Sequence, residues 1–166
     1  MRIATIVAVV VILIVAIRTL IFTGPEEKYR VAHPKAGYSL IRPSDWEATI
    51  VDRSDSTGFR DAILLFPKSW IGQQPSIWVK RYGGTPDFEN LKSIGFSEGT
   101  FQGQPAWVSL QTPKIHLLRT VVFQRGDAWF NAGTALPGLE GAKLGDWWRY
   151  VETIKVQASP ATKSSG

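Results

Sequence analysis

The sequence predicts an α+β domain, an antiparallel sheet covered on both faces, behind one N-terminal transmembrane helix. Three observations carry this reading. Ile3 to Phe22 is an almost unbroken apolar run, interrupted only by Thr5, Arg18 and Thr19. Between Ser97 and Ala135, short runs of alternating residues are separated by turn signals, and both of their faces are apolar. A sheet apolar on both sides needs a layer above and a layer below, and two stretches with helical periodicity, one ending at Gly95 and one from Leu139 to Thr153, are available for the task.

The twenty residues Ile3 to Phe22, at about 1.5 Å of rise each, reach ~30 Å, the hydrocarbon thickness of a bilayer. A cleaved signal peptide would need small residues at its exit, whereas Leu20-Ile21-Phe22-Thr23 is bulky. A buried core helix of this length would carry more polar residues. Arg18 lies near one end, where it can snorkel to the headgroups. The expectation is therefore a retained single-pass anchor over residues 1–24, in contact with membrane lipid through Ile3 to Phe22. The basic residues on its two flanks point in opposite directions under the positive-inside rule, but long domains translocate largely regardless of charge. An extracytoplasmic domain is expected.

Residues 28–157 are of a size for one domain, and residues 158–166 read as a disordered polar tail. Seven Trp, eight Phe and four Tyr supply enough large apolar surface to fill a core without disulfides or a structural metal. There is no Cys, which excludes cysteine redox chemistry. The formal net charge is +5; setting Arg2 and Arg18 aside with the anchor leaves +3. The basic residues are scattered, so no nucleic-acid footprint is expected.

Element by element, Tyr29 to Ala32 reads as an edge strand, and Gly37 to Ile41 as a strand ended by the Pro43 turn with Trp46 folding back on the core. Glu47 to Asp52, Ala62 to Phe66 and Ser76 to Tyr82 follow as strands, separated by loops at Arg53 to Phe59 and Pro67 to Pro75. Thr85-Pro86-Asp87 supplies an N-cap, a first-turn proline and an acid, opening a short helix with Phe88, Leu91 and Ile94 on one face. Ser97 to Gln102, Pro105 to Thr112, Leu117 to Arg125 and Ala128 to Ala135 read as consecutive antiparallel strands. Ala106, Val108 and Leu110 share one face against Trp107, and Leu118 and Val122 oppose Leu117, Val121 and Phe123. In the closing helix, Leu144, Trp147, Trp148 and Val151 recur at three- and four-residue spacing.

The segments Ala36 to Trp46, Gly103-Gln104-Pro105-Ala106, Arg119 to Phe123 and Trp148 to Val156 resemble the PsbP-like superfamily. That group includes an extrinsic subunit of photosystem II, a nuclear-import factor that binds the GTPase Ran, and small bacterial exported proteins of unknown role. The resemblance covers about Tyr29 to Val156 and implies an α/β/α sandwich around an antiparallel sheet. Its motifs are structural and specify fold rather than activity. No long basic extension of the photosystem kind is present, so photosynthetic function is not carried over.

Catalytic chemistry leaves no signature. His33 and His116, the two histidines, sit in no metal-ligand spacing, and the nearest carboxylate groupings (Asp52 with Asp55, Asp87 with Glu89, Asp146 with Glu152) fall where acids are routine. Ser39 is not in a nucleophile elbow, and Gly83-Gly84-Thr85 lacks the lysine of a phosphate loop. No catalytic residue, cofactor or metal is expected. Among the tryptophans, Trp70 and Trp78 are weighed as a recognition surface against five that fit buried positions. Trp70, flanked by Lys68, Ser69, Gly72 and Gln73, is the candidate for a partner contact. The expected function is a membrane-anchored, non-catalytic binding or assembly module with a protein partner. The alternative is a tethered hydrolase or small-ligand carrier, whose site would be assembled from distant residues.

Overall fold

The computed structural model describes residues 25–52, 59–68, 75–111, 116–137 and 141–157. Ten strands and two helices follow in order: β1 (Arg30–Ala32), β2 (Tyr38–Ile41), β3 (Trp46–Val51), β4 (Phe59–Pro67), β5 (Ser76–Tyr82), α1 (Phe88–Ser93), β6 (Ser97–Phe101), β7 (Gln104–Gln111), β8 (His116–Arg125), β9 (Ala128–Pro137), α2 (Gly141–Val151) and β10 (Lys155–Val156). A 3-10 turn at Glu27–Tyr29 precedes β1. Seven strands form one antiparallel sheet in the order β3-β4-β5-β9-β8-β7-β6, and three form a second in the order β1-β2-β10. The large sheet is two meanders, β3-β4-β5 and β6-β7-β8-β9, joined where β9 returns beside β5 with Trp78 opposite Gly133 and Lys80 opposite Asn131.

Period-two alternation divides the large sheet into two faces of different character. Ile63, Leu65, Ile77, Val79, Val121, Phe123, Phe130 and Ala132 share the inner face and pack against Tyr38 and Leu40 of the small sheet and Trp148 and Val151 of α2. All of these are buried, and each such side chain removed from water contributes about 1.5 to 3 kcal/mol. α2 reaches the inner face because its apolar residues recur at helical spacing: Trp148 and Val151 are buried while Arg149 is exposed. Trp147 leans on Trp46, with ring centroids 4.8 Å apart.

The outer face carries Trp78, Lys80 and Tyr82 of β5, Asn131 and Gly133 of β9, Leu118, Thr120 and Val122 of β8, and Trp107 of β7, as the strand registers require. Among the described residues α1 is the element that lies over it, through Phe88 stacked on Trp107 at 5.6 Å and edge-on to Trp129 at 5.2 Å. Asp87 caps α1, its Oδ1 accepting from the Asn90 amide at 3.0 Å. The cap thus falls two residues after Thr85, the position expected from sequence. Gly95, at φ +91, closes the helix: its amide bonds to the Lys92 carbonyl and the Phe96 amide to the Leu91 carbonyl, the paired bonds of a Schellman stop.

Three expectations are corrected. The architecture is not an α/β/α sandwich. It is mainly β, two antiparallel sheets with two short helices. The reason is length: α1 has six residues, about 9 Å of helix, against a sheet whose seven strands span roughly 30 Å at 4.8 Å spacing. No second helical layer can form, and the inner layer is shared between α2 and a small sheet that the sequence reading did not assemble. The second correction concerns the transmembrane helix. No helix among the described residues is long and apolar enough to cross a membrane; α2, with eleven residues, reaches about half a bilayer. The expected anchor, Ile3 to Phe22, lies outside the described residues, so the structure gives no support to a single-pass protein with an extracytoplasmic domain. Third, the loop placed at Arg53 to Phe59 ends earlier than expected, since β4 already begins at Phe59.

Candidate functional site

Because α1 covers only part of the outer face, a cleft of about 470 Å³ remains between it and strands β5, β9 and β8. One wall is Trp78 and Tyr82, four residues apart on β5. The other is Leu91 of α1 and Ile94 at its C-cap, with Phe96 behind them. Thr120 and Asn131 form the floor.

The aromatic wall is held rigidly. The Trp78 Nε1–H donates to Asn131 Oδ1 at 2.7 Å, and the same Asn131 side chain hydrogen bonds the Tyr82 hydroxyl. Burial pushes the Tyr82 hydroxyl pKa up, with the Asn131 bond opposing that rise, so the phenol stays neutral at physiological pH. Beneath the indole, Gly133 leaves room for it: a Cβ there would stand 2.5 Å from Trp78 Cζ2. Across the cleft, the Gln111 side chain donates through Nε2 to the Ile94 carbonyl and ties the C-terminus of α1 to β7. The result is a preformed slot with aromatic and aliphatic walls and a few polar groups, the composition of small-molecule sites.

A second cluster lies on the other side of the sheet. His33, Asp52 and Asp61 bring one ligand-type atom each within 4.8 Å of one another. Their chemistry does not fit a metal centre. His33 Nδ1 accepts from the amides of Lys35 and Ala36 at 3.3 and 3.2 Å, which places the ring proton on Nε2. That nitrogen faces the Val51 carbonyl at 3.3 Å and Asp52 Oδ1 at 3.3 Å. Neither ring nitrogen therefore offers a lone pair to an ion. Asp52 pairs with Lys35 at 2.7 Å, and Asp61 pairs with Arg81. The buried imidazole, stacked on Tyr38 at 5.5 Å, ties the β1–β2 turn to the end of β3. Asp61 itself sits at a bulge between β4 and β5 with φ 44, its carbonyl accepting from the Tyr38 hydroxyl at 2.6 Å.

Trp70, the partner-contact candidate, lies outside the described residues. Trp78, weighed beside it, is the residue that the fold places in the cleft. Asp55 is also outside the described residues, and Asp87 is occupied as the cap of α1. Sequence reasoning missed Asn131 and Gly133. A polar amide and a glycine at alternate positions inside an otherwise apolar strand were the available signal, since an interior strand glycine marks a close approach.

No protein-family model matches the chain, and no curated protein matches it. A solved structure from Bacteroides thetaiotaomicron VPI-5482 is similar, with a TM-score of 0.54 and 15% identity over 83% of this chain and 50% of that one. At that identity the likeness concerns the fold alone, and the chain spans about half the length of that protein.

Proposed function

We propose that the protein is a non-catalytic binding module whose outer-face cleft takes a small ligand with one apolar ring face and polar edges. The observation that carries this reading is the Trp78 indole fixed by Asn131 and seated over Gly133. Fixing a large amphipathic ring before the ligand arrives lowers the ordering cost of binding, and the sheet gives up a side chain at Gly133 to allow it. The non-catalytic part rests on the lining: among the described residues it holds no histidine and no carboxylate beside the Thr120 hydroxyl, and Lys80 is its one charged group, so no paired nucleophile and base with an orienting third group is assembled there. Kinship with PsbP-like proteins belongs to this proposal as well, carried by the segments quoted above; a binding role fits the non-enzymatic members of that group.

The test is a titration of the full-length protein, labelled with nitrogen-15 at tryptophan, with phenyl β-D-glucoside, a probe that joins an aromatic ring to a polyhydroxylated one. A saturable shift of the Trp78 indole N–H signal, assigned through Trp78→Phe, is expected. A signal unmoved at saturating probe while the protein remains folded would reject the cleft as a site for this ligand class.

A further inference from the structure

A second cavity, of about 640 Å³, opens on the inner side of the large sheet, in the mouth between the β8–β9 turn and the end of the small sheet. Two arginines line it, Arg81 and Arg125, together with Phe130 and the partly exposed Ala36, Ala128 and Val156. Arg81 is neutralised by Asp61. Arg125 is different. Its acceptors are all uncharged: the Gln124 carbonyl at 2.8 Å, the Phe101 carbonyl at 3.4 Å and Gln102 Oε1 at 3.0 Å. Among the described residues no carboxylate pairs with it, and partial burial pulls its pKa below the ordinary arginine value.

The position of this cation is built. Gln102 and Gly103 occupy the β6–β7 turn with φ 52 and φ 75, the positive pair that a type I′ hairpin turn requires and that Asn-Gly satisfies most readily. Here the first place holds Gln, whose longer side chain donates through Nε2 to the Glu152 and Ile154 carbonyls at 2.8 and 2.9 Å. That leaves Oε1 directed at Arg125. The Arg125 guanidinium also lies 5.1 Å from the centre of the Phe123 ring. A positive-φ residue and four hydrogen bonds thus fix a charge at the edge of a cavity whose partly exposed apolar lining is Ala36, Ala128 and Val156. Asp127, in the turn two residues beyond Arg125, also lines the cavity and opposes an anion there, so the ligand's acid group belongs between Arg125 and Arg81 of β5, on the side of Arg125 that faces away from Asp127.

We infer that this cavity binds a small organic oxyanion, a phosphate monoester or carboxylate whose acid group meets Arg125, with Arg81 beyond it, and whose apolar body lies against Ala36, Ala128 and Val156. Three of the five Arg125 N–H groups are held by Gln124, Phe101 and Gln102; the two that remain are the donors that would meet the oxygens of such a group. The site lies on the opposite side of the sheet from the Trp78 cleft and stands independently of it.

The experiment is calorimetric titration of the full-length protein with phenyl phosphate and, separately, inorganic phosphate. Saturable one-site binding of phenyl phosphate is expected, tighter than that of inorganic phosphate. Arg125→Gln should weaken it roughly tenfold or more, the loss of a charge-assisted pair, and Gln102→Asn, which suits the turn but cannot span both partners, should weaken it by less. Arg149→Gln, at an exposed helix position, should leave it unchanged. Should Arg125→Gln fail to fold, Ala128→Leu, which narrows the cavity beside Arg125 while keeping its charge, should lower the affinity in its place. No binding by the parent, equal affinity for the two phosphates, or binding unaffected by both Arg125→Gln and Ala128→Leu would overturn the proposal.

Discussion

The Trp78 indole occupies the space that a side chain at Gly133 would need: a Cβ there would lie 2.5 Å from its Cζ2 and 2.6 Å from the Arg119 carbonyl oxygen. The second of these contacts is backbone and cannot swing aside. Gly133→Ala should therefore destabilise the protein by about 1 to 3 kcal/mol, the usual range for overpacking, and should shift the Trp78 indole N–H resonance. Denaturant unfolding and a nitrogen-15 spectrum read both effects. Unchanged stability together with an unmoved resonance would mean that the indole does not rest on the glycine.

The two adjacent tryptophans of α2 should differ. Trp148 is 5% exposed and packs edge-on to Phe101 and beneath Arg119, so Trp148→Ala should cost about 3 to 5 kcal/mol. Trp147 is half-buried, and its Nε1 has no hydrogen-bond partner among the described residues. Trp147→Ala should cost less. Equal losses in denaturant unfolding would contradict this ordering.

Thr134 is fully buried, its hydroxyl unpartnered among the described residues, between Ile77 and Arg119 in the sheet. Thr134→Val keeps the shape and removes the orphan group, so stability should rise by up to about 1 kcal/mol. A loss of more than that on thermal unfolding would reveal a bond that the hydroxyl does make.

His33 acts as an acceptor for two turn amides. His33→Leu should cost about 1 to 3 kcal/mol by leaving them unpaired, and His33→Asn, whose Oδ1 can take the place of Nδ1, should recover part of that loss. A chelator should leave the melting temperature unchanged, because both ring nitrogens are engaged within the protein. Chelator-induced destabilisation that His33→Asn abolishes would reverse this reading.

Glu27 links the first turn to Arg30 of β1 and Lys155 of β10. Hydrogen bonds from Arg30, then from Lys155, hold its pKa down at about 2, from an ordinary value of 4.5. Since the folded-state value is the depressed one, the contribution is complete above about pH 4.5 and is lost as pH falls toward 2. Carbon-13 titration of the Glu27 carboxyl should show the low midpoint, and Arg30→Ala should raise it more than Lys155→Ala. A midpoint near 4.5 in the parent would show the links to be transient.

The strands were legible because their signal is local. Alternation and turn residues located β5 at Ser76–Tyr82 to the residue and the four strands of the second meander within one or two positions at each end. The apolar character of both sheet faces was also legible, through Val121 on one side and Val122 on the other, each fully buried. What covers those faces was not. A period-two pattern records that a side chain is shielded without recording whether a helix, a second sheet or half a helix shields it, and α1 proved too short to be a layer. The pairing of β5 with β9 joins residues some fifty positions apart, as in Trp78 with Asn131. Only that pairing turns a tryptophan, an asparagine and a glycine, each unremarkable in its own strand, into one wall of a cleft. Likewise His33, Asp52 and Asp61 meet because a bulge turns Asp61 inward at positive φ. Single-residue chemistry and local periodicity are properties of the chain; the convergence of distant side chains is decided by strand order and register, which depend on the free energy of the whole packed sheet.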